Sequence, residues 1–232
     1  MKELIMPKFD TPTPVSAMFD IPAGRIQIIA ADRADTTVEV LPTDAAKPRD
    51  VKAAERVEVS YADGVLHIEA RKPSNPVFNP VFGPFGSVEV TVQLPAGSNV
   101  VGTAASAEFR GVGRLGDVTL EGAAGSIKVD ETASARLILA SGDITVGRLS
   151  GSGQISTHKG DLRIAEATDG AVTLRTVQGD ITVAAARDSS ATLDAGTSSG
   201  RVHNALRNTD GAVASLEIHA TTVHGDITAT SL

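Results

Sequence analysis

The chain has 232 residues and a formal net charge of −7, with 21 Lys and Arg against 28 Asp and Glu. It has no Cys, no Trp and 3% aromatic residues. An acidic chain lacks the basic face that phosphate contacts require, so no nucleic-acid partner is predicted. The absence of Cys excludes disulfides, thiol catalysis and Cys-ligated metal sites.

Residues 1–14 are predicted to be a flexible segment, in which Pro7, Pro12 and Pro14 interrupt any apolar run. The segment lacks the run of about 7–15 apolar residues that a secretory signal needs. No stretch of the chain reaches the roughly 20 apolar residues of a membrane span. The sequence therefore predicts a cytoplasmic protein without a membrane span.

Residues 15–100 are predicted to form a β-rich section with antiparallel strands that caps the rest of the fold. Ala62-Asp63-Gly64 is a hairpin turn signal. A short helix is predicted near residues 49–55, with Pro48 in its first turn. Alternation of apolar and polar residues predicts strands at 25–30, 36–41, 56–61, 65–70 and 87–94.

A proline-rich loop is predicted at residues 75–86, where the sequence Asn-Pro-Val-Phe occurs twice. Its aromatic residues Phe78, Phe82 and Phe85 are candidate partner-binding residues, because aromatic anchors dominate the energetics of interfaces. The alternative is that these side chains fold back and plug an open end of the fold, since exposed apolar patches are rare on monomers.

The strongest signal is a repeat over residues 101–232, in which Gly-Asp precedes an apolar–polar–apolar triplet. Looser copies begin at Gly125 and Gly200. Glycine supplies a corner with positive φ, and aspartate can bond the backbone at the turn. The predicted corner residues are Gly116 and Asp117, Gly142 and Asp143, Gly160 and Asp161, Gly179 and Asp180, and Gly225 and Asp226.

A second, weaker strand lies between successive copies, so one repeat of about 18 residues carries two short strands. Strands of this kind stack on the equivalent strand one repeat later. The fold class predicted is therefore all-β, with a parallel β-solenoid, or β-helix, of about six coils following the N-terminal section in one continuous body.

Other motifs give weaker signals. The string Gly-x-Gly-x-x-Gly at 111–116 precedes a strand rather than the helix that a dinucleotide site requires. One Asp per corner is too few for a calcium site, although ion binding and catalysis by the Asp row stay open. The five His lack metal-ligand spacing. No catalytic, cofactor-binding or metal-ligating residue is predicted.

The Gly-Asp-Ile-Thr-Val units behind a β-rich N-terminal section resemble the bacterial β-strand-repeat family labelled "putative adhesin". The resemblance covers roughly residues 15–232. It implies a β-repeat fold and adhesion at a surface, and it brings no catalytic or binding residues with it.

Three functions follow as hypotheses. The first is a non-enzymatic, adhesin-like interaction scaffold that contacts a protein partner. The second is an end-to-end self-assembling solenoid, because the sequence stops at Ser231-Leu232 directly after a strand and without a visible cap. The third is a carbohydrate-acting β-helix enzyme, which needs acidic residues on the repeat.

Overall fold

A computed structural model describes residues 7–71, 86–187, 189–207 and 214–232 of the chain. The described residues are almost entirely β-structure joined in one sheet, which confirms the all-β class. The elements are β1 Lys8–Asp10, β2 Ser16–Asp20, β3 Ala23–Ala31, β4 Asp35–Pro42, α1 Pro48–Ala54, β5 Val57–Ala62, β6 Val65–Ala70, β7 Val88–Pro95, β8 Asn99–Ser141, β9 Ile144–Leu149, β10 Gly153–Lys159, β11 Leu162–Ala167, β12 Gly170–Arg175, β13 Ile181–Ala185, β14 Ala191–Ser199, β15 Val202–Ala205, β16 Leu216–His224 and β17 Ile227–Ser231.

Most strands stack in parallel as two-strand layers, one strand on each of two faces. The first face carries β10 against β8 and β12, and the second face carries β11 against β9 and β13. The long strand β8 turns repeatedly and pairs with β2, β3, β9 and β10. Stacked parallel strands lie about 4.8 Å apart. This is the long parallel sheet that the repeat predicts.

Inward columns of aliphatic residues form the core between the two faces. On the second face Ile144, Leu162, Ile181 and Ile227 follow one another from layer to layer, and all are buried. Burying such a side chain stabilises the fold by about 1.5–3 kcal/mol. The strict apolar–polar alternation of each repeat copy therefore becomes a continuous core.

The order of the layers departs from the order of the sequence near the C-terminal end. β16 pairs with β12 on one side and with β14 on the other, and β17 lies in the same way between β13 and β15. The outermost layer is therefore β14–β15, and β16–β17 is inserted one layer inside it. The hypothesis that the last strand of the sequence is the open end is wrong.

A matching insertion lies near the N-terminal end. β2 pairs in parallel with β6 and β8, and β3 pairs in parallel with β7 and β8. The prediction of an antiparallel section thus fails for these strands, which belong to the parallel stack. Arg25 on β3 reaches Glu89 on β7 at 3.2 Å and Glu108 on β8 at 3.3 Å, so one side chain bridges three layers.

Antiparallel strands do cover this end of the stack, as predicted. β5 pairs with β6, β4 with β7, and β1 with β4. The hairpin between β5 and β6 turns at Asp63 and Gly64, with φ of 50° and 81°, as the turn signal indicates. Helix α1 begins at Pro48, which matches the predicted short helix.

The structure differs from the predicted flexible segment 1–14 over its described part. Lys8–Asp10 forms β1 on the edge of β4, and the buried hydroxyls of Thr11 and Thr36 are hydrogen-bonded at 2.8 Å. Pro7 and Pro12 lie on either side of this short edge strand, a position in which proline is tolerated.

Asp35 connects β1 to β4 through two cations and gives this end of the stack a pH dependence. Arg33 Nε lies 2.8 Å from one carboxylate oxygen and Lys8 Nζ 3.0 Å from the other. Hydrogen bonds from Arg33 first, and Lys8 second, lower the pKa of Asp35 to about 2. Because the pKa of Asp35 is lower in the folded protein than in the unfolded chain, its carboxylate stabilises the fold at pH values above the ordinary carboxyl pKa. This stabilisation is lost as the pH falls towards 2.

We therefore expect Asp35→Asn to unfold at lower urea concentration than the wild type at pH 6, and at nearly the same concentration at pH 2. Urea unfolding of both proteins at the two pH values measures this difference. A gap between the two midpoints that is as wide at pH 2 as at pH 6 would show that the ion pairs add no stability.

Candidate functional site

The repeat glycines form a column of corners on the second face. Gly142, Gly160, Gly179 and Gly225 have φ of 138°, 141°, 149° and 150°. A Cβ on Gly160 would overlap the carbonyl oxygen of Gly142, so each corner packs directly on the one before it. The predicted corner role of these residues follows from both their backbone angles and this close approach.

The aspartates that follow these glycines join the layers. Asp161 donates its backbone N–H to Asp143 Oδ1 at 2.9 Å, and Asp180 donates to Asp161 Oδ1 at 2.8 Å. Asp226 then donates to Asp180 Oδ1 at 2.7 Å. One oxygen of each of these carboxylates thus satisfies a backbone donor of the next layer, which explains the Asp row without a ligand.

Gly116 and Asp117 lie in a different place from the other predicted corners. Gly125, not Gly116, precedes Gly142 in the column. The backbone N–H of Asp117 donates to Asn99 Oδ1 at 2.8 Å on the first face, outside the column. The copy at 116–120 therefore lies on the first face, whereas the other Gly-Asp copies lie on the second face. The two faces carry similar short strands, so the sequence pattern does not distinguish them.

The aspartate ladder ends at Arg201, which occupies the Asp position in the outermost layer. Arg201 donates its backbone N–H to Asp226 Oδ1 at 2.8 Å, and its guanidinium reaches Oδ2 at 3.1 Å. These bonds, the backbone one first, lower the pKa of Asp226. Because Arg201 has no carboxylate, it ends the row of aspartates. A further layer would find no side-chain oxygen at this corner to accept its backbone N–H.

The outermost layer, β14–β15, exposes positions that are buried in the inner layers. Val202 continues the column of Ile181 and Ile227, yet it is 44% exposed where Ile227 is 0% exposed. Leu193 is likewise only partly buried, although its neighbour Ile218 is buried. We call β14–β15 the terminal layer.

The terminal layer also directs backbone groups away from the stack. Arg201 accepts the N–H of Ile227 at 2.8 Å, and Ser199 accepts that of Gly225 at 3.0 Å. Because the C=O and N–H of one peptide unit point in opposite directions, the N–H groups of Val202 and Gly200 point to the outer edge. Among the described strands, none pairs with this edge.

A polar groove of about 590 Å³ lies beside α1 at the other end of the stack. Its cations are matched by neighbouring carboxylates. Arg25 binds Glu89 and Glu108, and Arg49 lies 3.7 Å from Asp50. With its charges paired in this way the lining does not select an ion, so the groove is a weaker candidate than the terminal layer.

The partner-binding role of the aromatic residues in the proline-rich loop stays a prediction. Phe78, Phe82 and Phe85 lie outside the described residues. Beside the stacked rings of Phe19 and Phe109 there is only a cavity of about 20 Å³, which is the size of one water molecule.

The described residues contain neither a cluster of metal ligands nor a helix that could cross a membrane. No group of three or more His, Asp or Glu is placed to hold a metal ion there. No helix within the described ranges has the length and apolar character needed to cross a membrane.

Arg201 and Val202 are functional candidates that the sequence does not single out. Both belong to the looser copy at 200–204, where Gly-Arg-Val replaces Gly-Asp-Ile. The reversal of charge after the corner glycine is the signal that marks an end of the ladder. The sequence also does not predict the contact between His219 Nδ1 and Asp194 Oδ2 at 3.3 Å, which joins β16 to the terminal layer.

Comparison with known proteins gives one family. A family model described as Toastrack DUF4097 matches residues 20–230. No curated protein matches the chain.

Several solved structures are similar to the chain along its whole length. A "putative cell adhesion protein" from Clostridium sporogenes is 12% identical, with 98% of this chain and 99% of that chain covered and a TM-score of 0.42. A "putative lipid binding protein" from Parabacteroides distasonis is 14% identical, with 97% and 96% covered and a TM-score of 0.48. A "putative adhesin" from Parabacteroides merdae is 10% identical, with 98% and 96% covered and a TM-score of 0.44.

Proposed function

Starting from the fact that this chain belongs to the Toastrack family DUF4097, we propose that it is a non-enzymatic, adhesin-like interaction scaffold. Its partner is a protein that adds an extended strand to the terminal layer. The stack provides a rigid support, and the binding energy comes from main-chain hydrogen bonds and from apolar contact with Val202 and Leu193.

The exposure of Val202 is the observation that supports this proposal. In the inner layers the same column position is filled and buried by the next strand. An added strand would cover Val202 and bond the N–H groups of Gly200 and Val202. Edge strands are sites at which other chains pair, and alternate side chains of the added strand would select for apolar residues facing the core.

Val202→Pro tests the proposal, because proline removes an N–H that points outward while leaving the ladder to β17 intact. The probe is a peptide selected on the wild-type protein from a random library of displayed dodecapeptides. We expect Val202→Pro to weaken binding of that peptide at least tenfold, or about 1.4 kcal/mol, with the melting temperature changed by only a few degrees. Titration calorimetry and thermal unfolding measure the two effects.

Two further variants serve as controls. His203→Pro removes the neighbouring N–H, which points to β17, and is expected to destabilise the fold because a ladder hydrogen bond is lost. Arg163→Ala changes the exposed second face in an inner layer and is expected to leave peptide binding unchanged. Peptides that bind Val202→Pro normally and lose affinity for Arg163→Ala would move the binding site to the flat face and contradict the proposal.

Self-association through the terminal layer is the second candidate function. The same open edge favours it, in place of the last strand of the sequence. Light scattering over a dilution series distinguishes the two: a mass that stays at 23.8 kDa favours a foreign partner, whereas a mass that rises with concentration and is held constant by Val202→Pro favours self-assembly. Turnover of a polysaccharide that Asp161→Asn abolishes would contradict both.

A further inference from the structure

The inserted layer β16–β17 is held on both sides by the rest of the chain. Its first strand bonds β12 and β14, and its second strand bonds β13 and β15. Its inward side chains are completely or almost completely buried, and they are Leu216, Ile218, Ala220, Ile227 and Ala229. Removing this layer would leave a slot one strand wide between β12–β13 and the terminal layer, whose only partners among the described strands are β16 and β17.

The slot is specific for the sequence that fills it. At the corner an occupant must place an aspartate that donates its N–H to Asp180 Oδ1 and accepts that of Arg201, as Asp226 does at 2.7 Å and 2.8 Å. A glycine must precede it, because a Cβ on Gly225 would overlap the carbonyl oxygen of Gly179. The segment 216–231 meets these requirements in any copy of this chain.

The connection to the inserted layer is longer than the corresponding connections of the central layers. Two or three residues, 168–169 and 150–152, link a second-face strand to the next first-face strand in the central layers. Ten residues, 206–215, link β15 to β16. An extended chain spans up to about 3.5 Å per residue, so this connection reaches up to about 35 Å.

We propose that two copies of this chain exchange β16–β17 and form a domain-swapped dimer. Each copy keeps its own terminal layer and receives residues 216–231 of the other copy in the slot. All hydrogen bonds and buried contacts of the layer are reproduced in the dimer, and only the path of the connection changes, so the exchange has a low free-energy cost. The proposal does not depend on the proposed partner at the open edge.

The matching insertion near the N-terminal end lacks this freedom. β3 continues into β4 after only three residues, 32–34, and β4 is itself paired with β7 and β1. Arg25 further ties β3 to both of its neighbours. The exchange is therefore restricted to the C-terminal insertion.

Engineered cysteines test the exchange, since the chain has no other thiol. Thr182 and Thr228 are register partners on β13 and β17, at a separation that a disulfide spans. Single variants Thr182→Cys and Thr228→Cys are unfolded together, refolded at high concentration and oxidised. In a swapped dimer the thiol at position 228 of one copy lies beside the thiol at position 182 of the other, so a disulfide-linked dimer containing both variants is expected.

The matched control replaces Thr182→Cys by Thr145→Cys, which lies on the same column of half-buried outward residues but is not a register partner of Thr228. We expect at least tenfold less mixed dimer from this pair. The double variant Thr182→Cys/Thr228→Cys, oxidised when dilute, is expected to form an intrachain bond and then to stay monomeric. That result also shows that the cysteines leave the fold intact.

Equal yields of mixed dimer from the two pairs, or monomer alone, would overturn the proposal. Association through the terminal layer gives a different result: the mass rises without a bond between positions 182 and 228, and Val202→Pro abolishes the rise. The failure of the exchange can therefore be distinguished from the failure of binding at the open edge.

Discussion

Replacing Gly142 by alanine is expected to destabilise the protein by about 3 kcal/mol. The residue has φ of 138°, a sparsely populated backbone conformation that costs an L-residue roughly 1–3 kcal/mol. The new methyl group would also overlap the carbonyl oxygen of Gly125, and such overpacking adds about 1–3 kcal/mol. Chemical denaturation monitored by circular dichroism gives the change in unfolding free energy.

Gly196→Ala is the matched control for this experiment. Gly196 lies in β14, where no atom comes within 4 Å of an added Cβ. Alanine there is expected to leave stability unchanged or to raise it by up to about 1 kcal/mol, because it restricts the unfolded chain. If both variants lost equal stability, the close stacking of the glycine corners would be refuted.

The second large effect is expected at Ile227, whose truncation to alanine should cost about 3 kcal/mol. Its side chain is completely buried between two layers, and truncation of buried isoleucine costs about 2–5 kcal/mol. Val202→Ala, one layer further out in the same column, should cost about 1 kcal/mol or less because Val202 is half exposed. Denaturant midpoints at equal m-values provide the comparison.

This pair of variants tests the order of the layers directly. If β17 were the outermost strand of the second face, Ile227 would be the exposed member of the column and Val202 the buried one. A larger loss of stability for Val202→Ala than for Ile227→Ala would therefore contradict the inserted position of β16–β17.

The repeat predicts the faces and columns of the stack because its chemistry is local. Gly160 and Asp161 form one corner and contact the corner of the preceding layer. The alternation of Leu162, Arg163 and Ile164 determines which side chains point inward. The copy at Gly116 shows the limit of this reasoning. Both faces use short alternating strands, so one copy can be assigned to the wrong face without breaking any local pattern.

The layer order is not encoded locally, and sequence reasoning could not reach it. The Gly-Asp copies supply the same corner and similar inward residues, so the pattern within one copy does not show which copy lies beside which. The wider spacing from Gly200 to Gly225 predicts longer corners. In the structure this spacing arises because the chain returns from the outermost layer to a position one layer further in. With the order misassigned, the predicted open edge falls at Leu232 instead of at Val202.

The inserted strands also determine when the protein can fold during its synthesis. β2–β3 emerge from the ribosome early, but one of their neighbours is completed only when residue 112 has been made. At about 5–20 residues per second this delay is roughly 4–16 s. The strands β9–β11, whose neighbours lie one repeat away in the sequence, can pair as they are translated. We therefore expect the middle of the chain to fold first, while β2 and β3 wait for long-range closure and stay exposed to aggregation until it is complete.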